Sequence, residues 1–389
     1  MKYDFDTINN RRGTNSYKWD ILPDDKSIPM WVADMDFRTA PAITDALRER
    51  VNQGIFGYTL VPDEYYDATI DWFGLRHGLT LQREWIIYTS GVVPAISAVI
   101  KALTQPGDKV IAQTPVYNCF FSSIRNNRCE LSENKLIYCD NRYFMDFEDL
   151  EARCADPKAK VMLLCNPHNP TGRVWTRQEL ERVGEICNRH GVTVVSDEIH
   201  CEIVFRPYRY TPFASISNEF CRKSVTCCSP SKAFNIAGLQ IANIFCENDR
   251  MREAIDRAIN INEVCDVNPF GVIALIEAYR RGGEWLDQLV EYIHGNYVYL
   301  AETFRRELPD FPVVELEGTY LAWIDCGVLG LPSPSVTAEV MERGGVMVNS
   351  GEMYGSYDHS FIRVNLAAPR SIIEKGVFGI AKALKELKK

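Results

Sequence analysis

"AKVMLLCNPHNPTGRVWTRQELERVGEICNRHGVTVVSDEIH" occupies Ala159–His200, and its hydrophobic pattern changes character twice along that length. "AKVMLLCNP" is a near-continuous apolar run, the pattern of a strand buried on both faces. "TRQELERVGEICNRHG" is amphipathic at helical spacing. Thr176 and Glu179 stand three apart at its start, as a capping box requires, and Gly191 offers a stop at its end. "VTVVSDE" is a second apolar strand. Outward from this unit the alternation continues from about residue 85 to 245. "EWIIYTS", "KVIAQ" and "SVTCCSP" read as further strands, and "VPAISAVIKAL" as a helix ending before "TQPGD". Apolar strands separated by helices predict an α/β fold with a mainly parallel sheet flanked by helices. In such sheets ligands sit beyond the carboxyl ends of the strands.

The pattern changes after about residue 285. "LDQLVEYIHGNYVYLAETFRREL" predicts one long helix, and "GTYLAWIDC" and "FIRVNLA" predict strands of a smaller α+β unit. The expected organisation is an N-terminal segment (1–45) packing with the small domain, a large domain (46–285) and a small C-terminal domain (286–389). The 389 residues are enough for two domains and a large core, and a hydrophobic content of 46% argues against extensive disorder. The net charge of -9, with no basic block, argues against a nucleic-acid partner. No apolar run is long enough to span a bilayer. "MKYDFDTINNRRG" lacks an apolar secretory core. A soluble, cytoplasmic protein is expected. The 13 cysteines include no C-x-x-C pair, so they read as reduced, buried thiols. No H-E-x-x-H arrangement supports a metal site.

Four short motifs fall just after predicted strands. In "TSGVVPAI" the backbone N–H groups of Gly91, Val92 and Val93 open a helix, a ready anion site, although an ordinary glycine turn reads the same way. In "NPHNPTGR" the Asn169 amide could bond a ring hydroxyl; the prolines and Gly172 serve turn chemistry. "VVSDEIH" ends on Asp197, a carboxylate costly to bury unless paired, with a protonated pyridine, a helix cap or a salt bridge as partner. Glu198 and His200 are ambiguous in the same way. "SPSKAFNIAGL" places Lys232 beside the hydroxyls of Ser229 and Ser231; alone it reads as a surface lysine. Together these are the parts that pyridoxal phosphate needs: an amine, an acid at the ring nitrogen, a donor at the ring oxygen and a phosphate cup.

With these motifs in place, nearly the whole chain resembles the fold-type I pyridoxal-phosphate enzymes, the aspartate aminotransferase superfamily. "NPHNPTG", "SDEIH" and "SPSKAFNIAGL" carry the likeness. "MWVADMDF", "GYT" at 57–59, "TPVYNCF" and "FIRVNLAAPR" are similar to motifs of its cystathionine β-lyase and cysteine-S-conjugate β-lyase branch. The resemblance implies a seven-stranded sheet and a homodimer with shared active sites. It makes Lys232 the Schiff-base lysine and general base, and Asp197 the partner of the pyridine nitrogen. Asn169 is implied at the ring oxygen, Tyr117 stacked on the ring, and Val92, Val93, Ser229 and Ser231 at the phosphate. Tyr58 is implied at the phosphate of the neighbouring subunit, Arg363 on the substrate α-carboxylate, and Ala33 and Asp34 near the substrate through their backbone. Tyr117 also reads as a core aromatic, and Trp31 reads as packing. Two departures stand out: His200 where many aminotransferases have tyrosine, and Gln240 in place of a phosphate-binding arginine. Both fit β-elimination at a C–S bond of a small sulfur amino acid. An aminotransferase, or a regulatory protein on the same fold, is the alternative.

Overall fold

The computed structural model describes residues 3–261, 266–356 and 360–389. Its central sheet has seven strands: β1 (Ile86–Thr89), β2 (Lys109–Thr114), β3 (Glu130–Lys135), β4 (Ala159–Cys165), β5 (Thr193–Asp197), β6 (Ser224–Cys228) and β7 (Ala242–Phe245). They lie in the order β1-β7-β6-β5-β4-β2-β3. Neighbours are parallel from β6 to β3, whereas β7 runs antiparallel to both β1 and β6.

Strand β4 shows why the apolar run had to be continuous. Val161, Leu163 and Cys165 pack into one core with Val92, Ala95, Ile96 and Val99 of helix α1 (Val92–Leu103). Met162 and Leu164 pack into another with Leu180, Val183 and Ile186 of helix α2 (Arg177–Arg189). Each such side chain contributes about 1.5–3 kcal/mol by leaving water, so a polar residue on either face would be costly. The capping box forms as expected: Thr176 Oγ1 accepts from the Glu179 N–H at 3.2 Å, and the Glu179 carboxylate accepts from the Thr176 N–H at 2.8 Å. Past the helix, Gly191 takes a positive φ of 67°, which a glycine adopts without strain.

Two strands of the central sheet were not among those read from the sequence. "ELSENK" in β3 is polar because it is the sheet edge; Ser132 and Asn134 are buried while Glu130 and Leu131 are exposed. "ANIF" in β7 is only four residues long. C-terminal to this sheet come the long helix α3 (Gly283–Glu307) and an antiparallel sheet of β8 (Leu321–Asp325), β9 (Asn349–Ser350) and β10 (Phe361–Asn365), with β10 in the middle.

The N-terminal segment joins this C-terminal region through Ile28–Pro29, which pairs in parallel with Val346–Met347. The chain then runs through Trp31–Phe37, and buried polar groups hold it there. Asp36 accepts from Lys18 Nζ at 2.9 Å, Arg11 at 2.8 Å and Trp19 Nε1 at 2.8 Å. Asn235, inside the lysine motif, accepts from the Met35 N–H and donates to the Met35 and Phe37 carbonyls. Asn365 of β10 donates to the carbonyls of Val32 and Asp34. The twelve described cysteines are free thiols, most of them buried; Cys265 lies outside the described residues. Among the described residues no helix is long and apolar enough to cross a membrane.

Candidate active site

A cavity of about 510 Å³ opens where the carboxyl ends of β2, β4, β5 and β6 meet the β9–β10 ladder and the Trp31–Phe37 segment. Gly91, Val92, Val93, Tyr117, Asn169, Asp197, His200, Ser231, Lys232, Arg363 and Ala33 all line it. Motifs spread over more than half the chain therefore converge on one volume.

The charged groups are set apart in kind. Lys232 Nζ donates to the Ala33 carbonyl at 2.6 Å. Burial, and then the nearby Arg363 charge, lower its pKa to about 8. Asp197 Oδ1 accepts from the Ile199 N–H at 3.1 Å. Burial raises the carboxyl pKa to about 7, so a cation against it would be strongly favoured. His200 is driven to about 3 by burial and is neutral; its Nδ1 is buried without a partner, and its ring meets Tyr320 edge-on. Burial likewise raises the Tyr117 phenol, which stays protonated. Glu198 does not reach the cavity: it accepts from Ser196 Oγ, Tyr210 and the Phe213 N–H.

Arg363 projects from β10 and is only 3% exposed. It donates to Asn169 Oδ1 at 3.1 Å and to the Trp31 carbonyl at 2.9 Å. Because Asn169 accepts from Arg363 through Oδ1, its Nδ2 is free to donate into the cavity. At the other wall, Gly91 precedes α1 with no side-chain cap, so the N–H groups of the first turn face the cavity uncapped.

These donors suit pyridoxal phosphate. A buried carboxylate with one backbone partner matches a cationic ring nitrogen, the free amide a ring oxygen, the uncapped turn a phosphate and the lysine an aldehyde. Three expected residues lie outside the cavity. Ser229 is buried, with Oγ bonded to the Ile241 carbonyl and the Ser231 N–H. The Asp34 side chain pairs with Arg11 at 2.6 Å. Tyr58 is 95% exposed in a stretch without regular structure. Gln240 is also outside, exposed at a turn with φ of 52°.

Trp31, read as packing, lines the cavity, with Tyr17 against its ring at 5.1 Å. Asn349, Met353 and Tyr354 line it as well, and Tyr320 donates to the same Ala33 carbonyl as Lys232, at 2.9 Å. Trp31 lies inside "MWVADMDF", but no sequence motif singled out Tyr17, Asn349, Met353 or Tyr354. Asn349, Met353 and Tyr354 are signalled only by proximity to "FIRVNLAAPR", and Tyr320 only by its place in the predicted strand "GTYLAWIDC".

Residues 26–375 match the family of class I and II aminotransferases. Cystathionine beta-lyase PatB of Bacillus subtilis (strain 168) is 40% identical over 384 residues, 98% of this chain and 99% of its own. The structure is similar to that of cystalysin from Treponema denticola, which contains a pyridoxal 5′-phosphate cofactor: TM-score 0.97, 34% identity, 100% of both chains. It is also similar to the PLP-bound C–S lyase from Staphylococcus hominis: TM-score 0.93, 34% identity, 99% of this chain and 98% of that one.

Proposed function

The chain belongs to the class I and II aminotransferase family, and from that premise we propose that it is a pyridoxal-phosphate-dependent carbon–sulfur lyase. It cleaves the Cβ–S bond of a sulfur amino acid; L-cystathionine and water give homocysteine, pyruvate and ammonia. The observation that carries this reading is the convergence of Lys232, Asp197, Asn169 and Arg363 on one cavity. Full-length relatives bearing lyase names support it.

Bound pyridoxal phosphate supplies an electron sink for charge developing at the substrate Cα. The protein's own residues do the rest. Asp197 holds the ring nitrogen, and a positive charge there stabilises the buried carboxylate in return. Asn169 donates to the ring oxygen through Nδ2, Tyr117 covers the ring, and the first turn of α1 with Ser231 takes the phosphate. The planar fork of Arg363 takes the α-carboxylate. Lys232, neutral at the moment of reaction, takes the Cα proton; a lowered pKa raises its neutral fraction near neutral pH. The Ala33 carbonyl then steadies the ammonium. With residues 46–285 as the cofactor domain and 286–389 as the smaller one, the site lies at their junction, roofed by the N-terminal segment.

Incubated with L-cystathionine and no keto-acid acceptor, the purified protein should release pyruvate over many turnovers. Release that stops at one equivalent per site would identify an aminotransferase instead.

The active form is a homodimer, and a cytoplasmic setting suits its 13 cysteines. Ile55, Phe56, Tyr58 and Leu60 are all exposed in one short stretch, apolar surface that a second copy would cover. Tyr58 of the partner subunit then donates to the cofactor phosphate, a charge-assisted bond of roughly 1.5–3 kcal/mol. Chains carrying Lys232→Ala and Tyr58→Phe, unfolded and refolded together, should regain activity above either parent, because each hybrid holds one intact site. Absence of any recovery would assign Tyr58 to its own chain.

A further inference from the structure

We propose that Tyr354 and Asn349 are positioning residues that set the Arg363 guanidinium to receive the substrate carboxylate. This rests on the reading of Arg363 as the carboxylate clamp.

A guanidinium this deeply buried ordinarily has a carboxylate partner. Among the described residues Arg363 has none, and its Nε is buried without any hydrogen-bond partner. What holds the group is neutral. The guanidinium carbon lies over the Tyr354 ring, 4.8 Å from its centre, a cation–π contact. Asn349 stands directly opposite Arg363 in the β9–β10 ladder. Its Nδ2 donates to the Tyr354 hydroxyl at 2.9 Å and to the Trp31 carbonyl at 3.0 Å. That same carbonyl accepts from Arg363 at 2.9 Å. Guanidinium, Trp31 carbonyl, Asn349 amide and Tyr354 ring thus form a closed circuit.

The circuit contains no carboxylate to compete for the fork. The ring limits tilt of the guanidinium plane, and the shared carbonyl limits its rotation. Trp323 braces Tyr354 edge-on at 5.6 Å. A fork already immobilised loses little freedom when the carboxylate arrives, so affinity for that group is gained without direct contact from Tyr354. The effect is specific to ligands bearing an α-carboxylate.

The test compares two competitive ligands of the holoenzyme that differ by that group, L-alanine and ethylamine, alongside steady-state kinetics with L-cystathionine. Tyr354→Leu should raise KM and the L-alanine inhibition constant roughly tenfold, with kcat within about twofold and the ethylamine constant unmoved. Tyr354→Phe, which keeps the ring, should restore both constants to within about threefold of wild type. Asn349→Ala should shift them in the same direction as Tyr354→Leu, and it carries the test if the leucine variant does not fold. Equal rises for L-alanine and ethylamine, or no rise in either, would overturn the proposal. Arg363→Gln is the control: if it fails to weaken L-alanine selectively, the clamp reading itself falls; if it does so while the Tyr354 and Asn349 variants do not, only the positioning role falls.

Discussion

Replacing Lys232 with alanine should lower pyruvate release by roughly four orders of magnitude, since the variant loses both the covalent anchor and the base. The residue's surroundings account for the size of the effect. Lys232 and Arg363 are the only lysine or arginine side chains in the cavity wall among the described residues, and a guanidinium is a donor only, with no base to offer. His200 is neutral but sits edge-on to Tyr320, with no partner through which to relay a proton at Nδ1. Borohydride reduction of the native holoenzyme followed by peptide mapping should place a pyridoxyl group on the Lys232 peptide. Label on another lysine would refute the assignment. A second readout needs no cofactor. In the cofactor-free protein, acylation of Lys232 should rise with pH around a midpoint of about 8, because burial and the Arg363 charge disfavour the ammonium. An ordinary lysine rises near 10.5, and a midpoint there would show that Lys232 is solvated.

Asp197→Asn should slow elimination roughly 10²–10³-fold, the cost of removing one preorganised electrostatic partner from a buried site, while the lysine can still be labelled. The variant fills the same space and keeps an acceptor for the Ile199 N–H, so packing changes little. Loss of the negative charge is what matters. The sign can be checked without turnover. In the cofactor-free protein the folded-state pKa, about 7, lies above the ordinary carboxylate value of 3.8. Ionising Asp197 therefore costs stability, and the cost grows as pH rises from about 4 and levels off above 7. Asparagine has no such cost. Thermal unfolding of the cofactor-free variant should match wild type only below about pH 4 and exceed it by a margin that widens up to pH 8. With cofactor bound the order should reverse at pH 8, because the ring cation then compensates the carboxylate. Near-normal turnover, or an unfolding difference that ignores pH, would make Asp197 structural only.

Much of the sheet is legible in the residue pattern. A strand covered by helices on both faces must be apolar at successive positions, and "VMLLC", "VTVV" and "SVTCC" satisfy that. Capping of α2 was legible because Thr176 and Glu179 are three residues apart and the interaction is local. β3 was not, because an edge strand has no need of a continuous apolar run. Lys232, Asp197, Asn169 and the turn at Gly91 could be placed together from sequence because each follows or ends a strand of the same sheet, at its carboxyl end.

The sequence by itself thus determined which end of the sheet carries the chemistry and which residues are candidates to hold the cofactor. Only the tertiary structure decided how the cavity is closed and how Arg363 is held. Asn235, Asn349 and Asn365 look in the sequence like any turn or surface asparagine. Two of them bond backbone carbonyls of residues 31–37 from more than 300 residues away, and the third from about 200. Tyr354 is no different in kind from the exposed tyrosines until the fold lays its ring beside a guanidinium. The reason is physical. Periodicity records what a segment buries against its own element and sheet, which short-range geometry imposes. An unpaired carbonyl in a distant loop imposes no periodicity on the side chain that meets it, and that pairing exists only once the chain has folded.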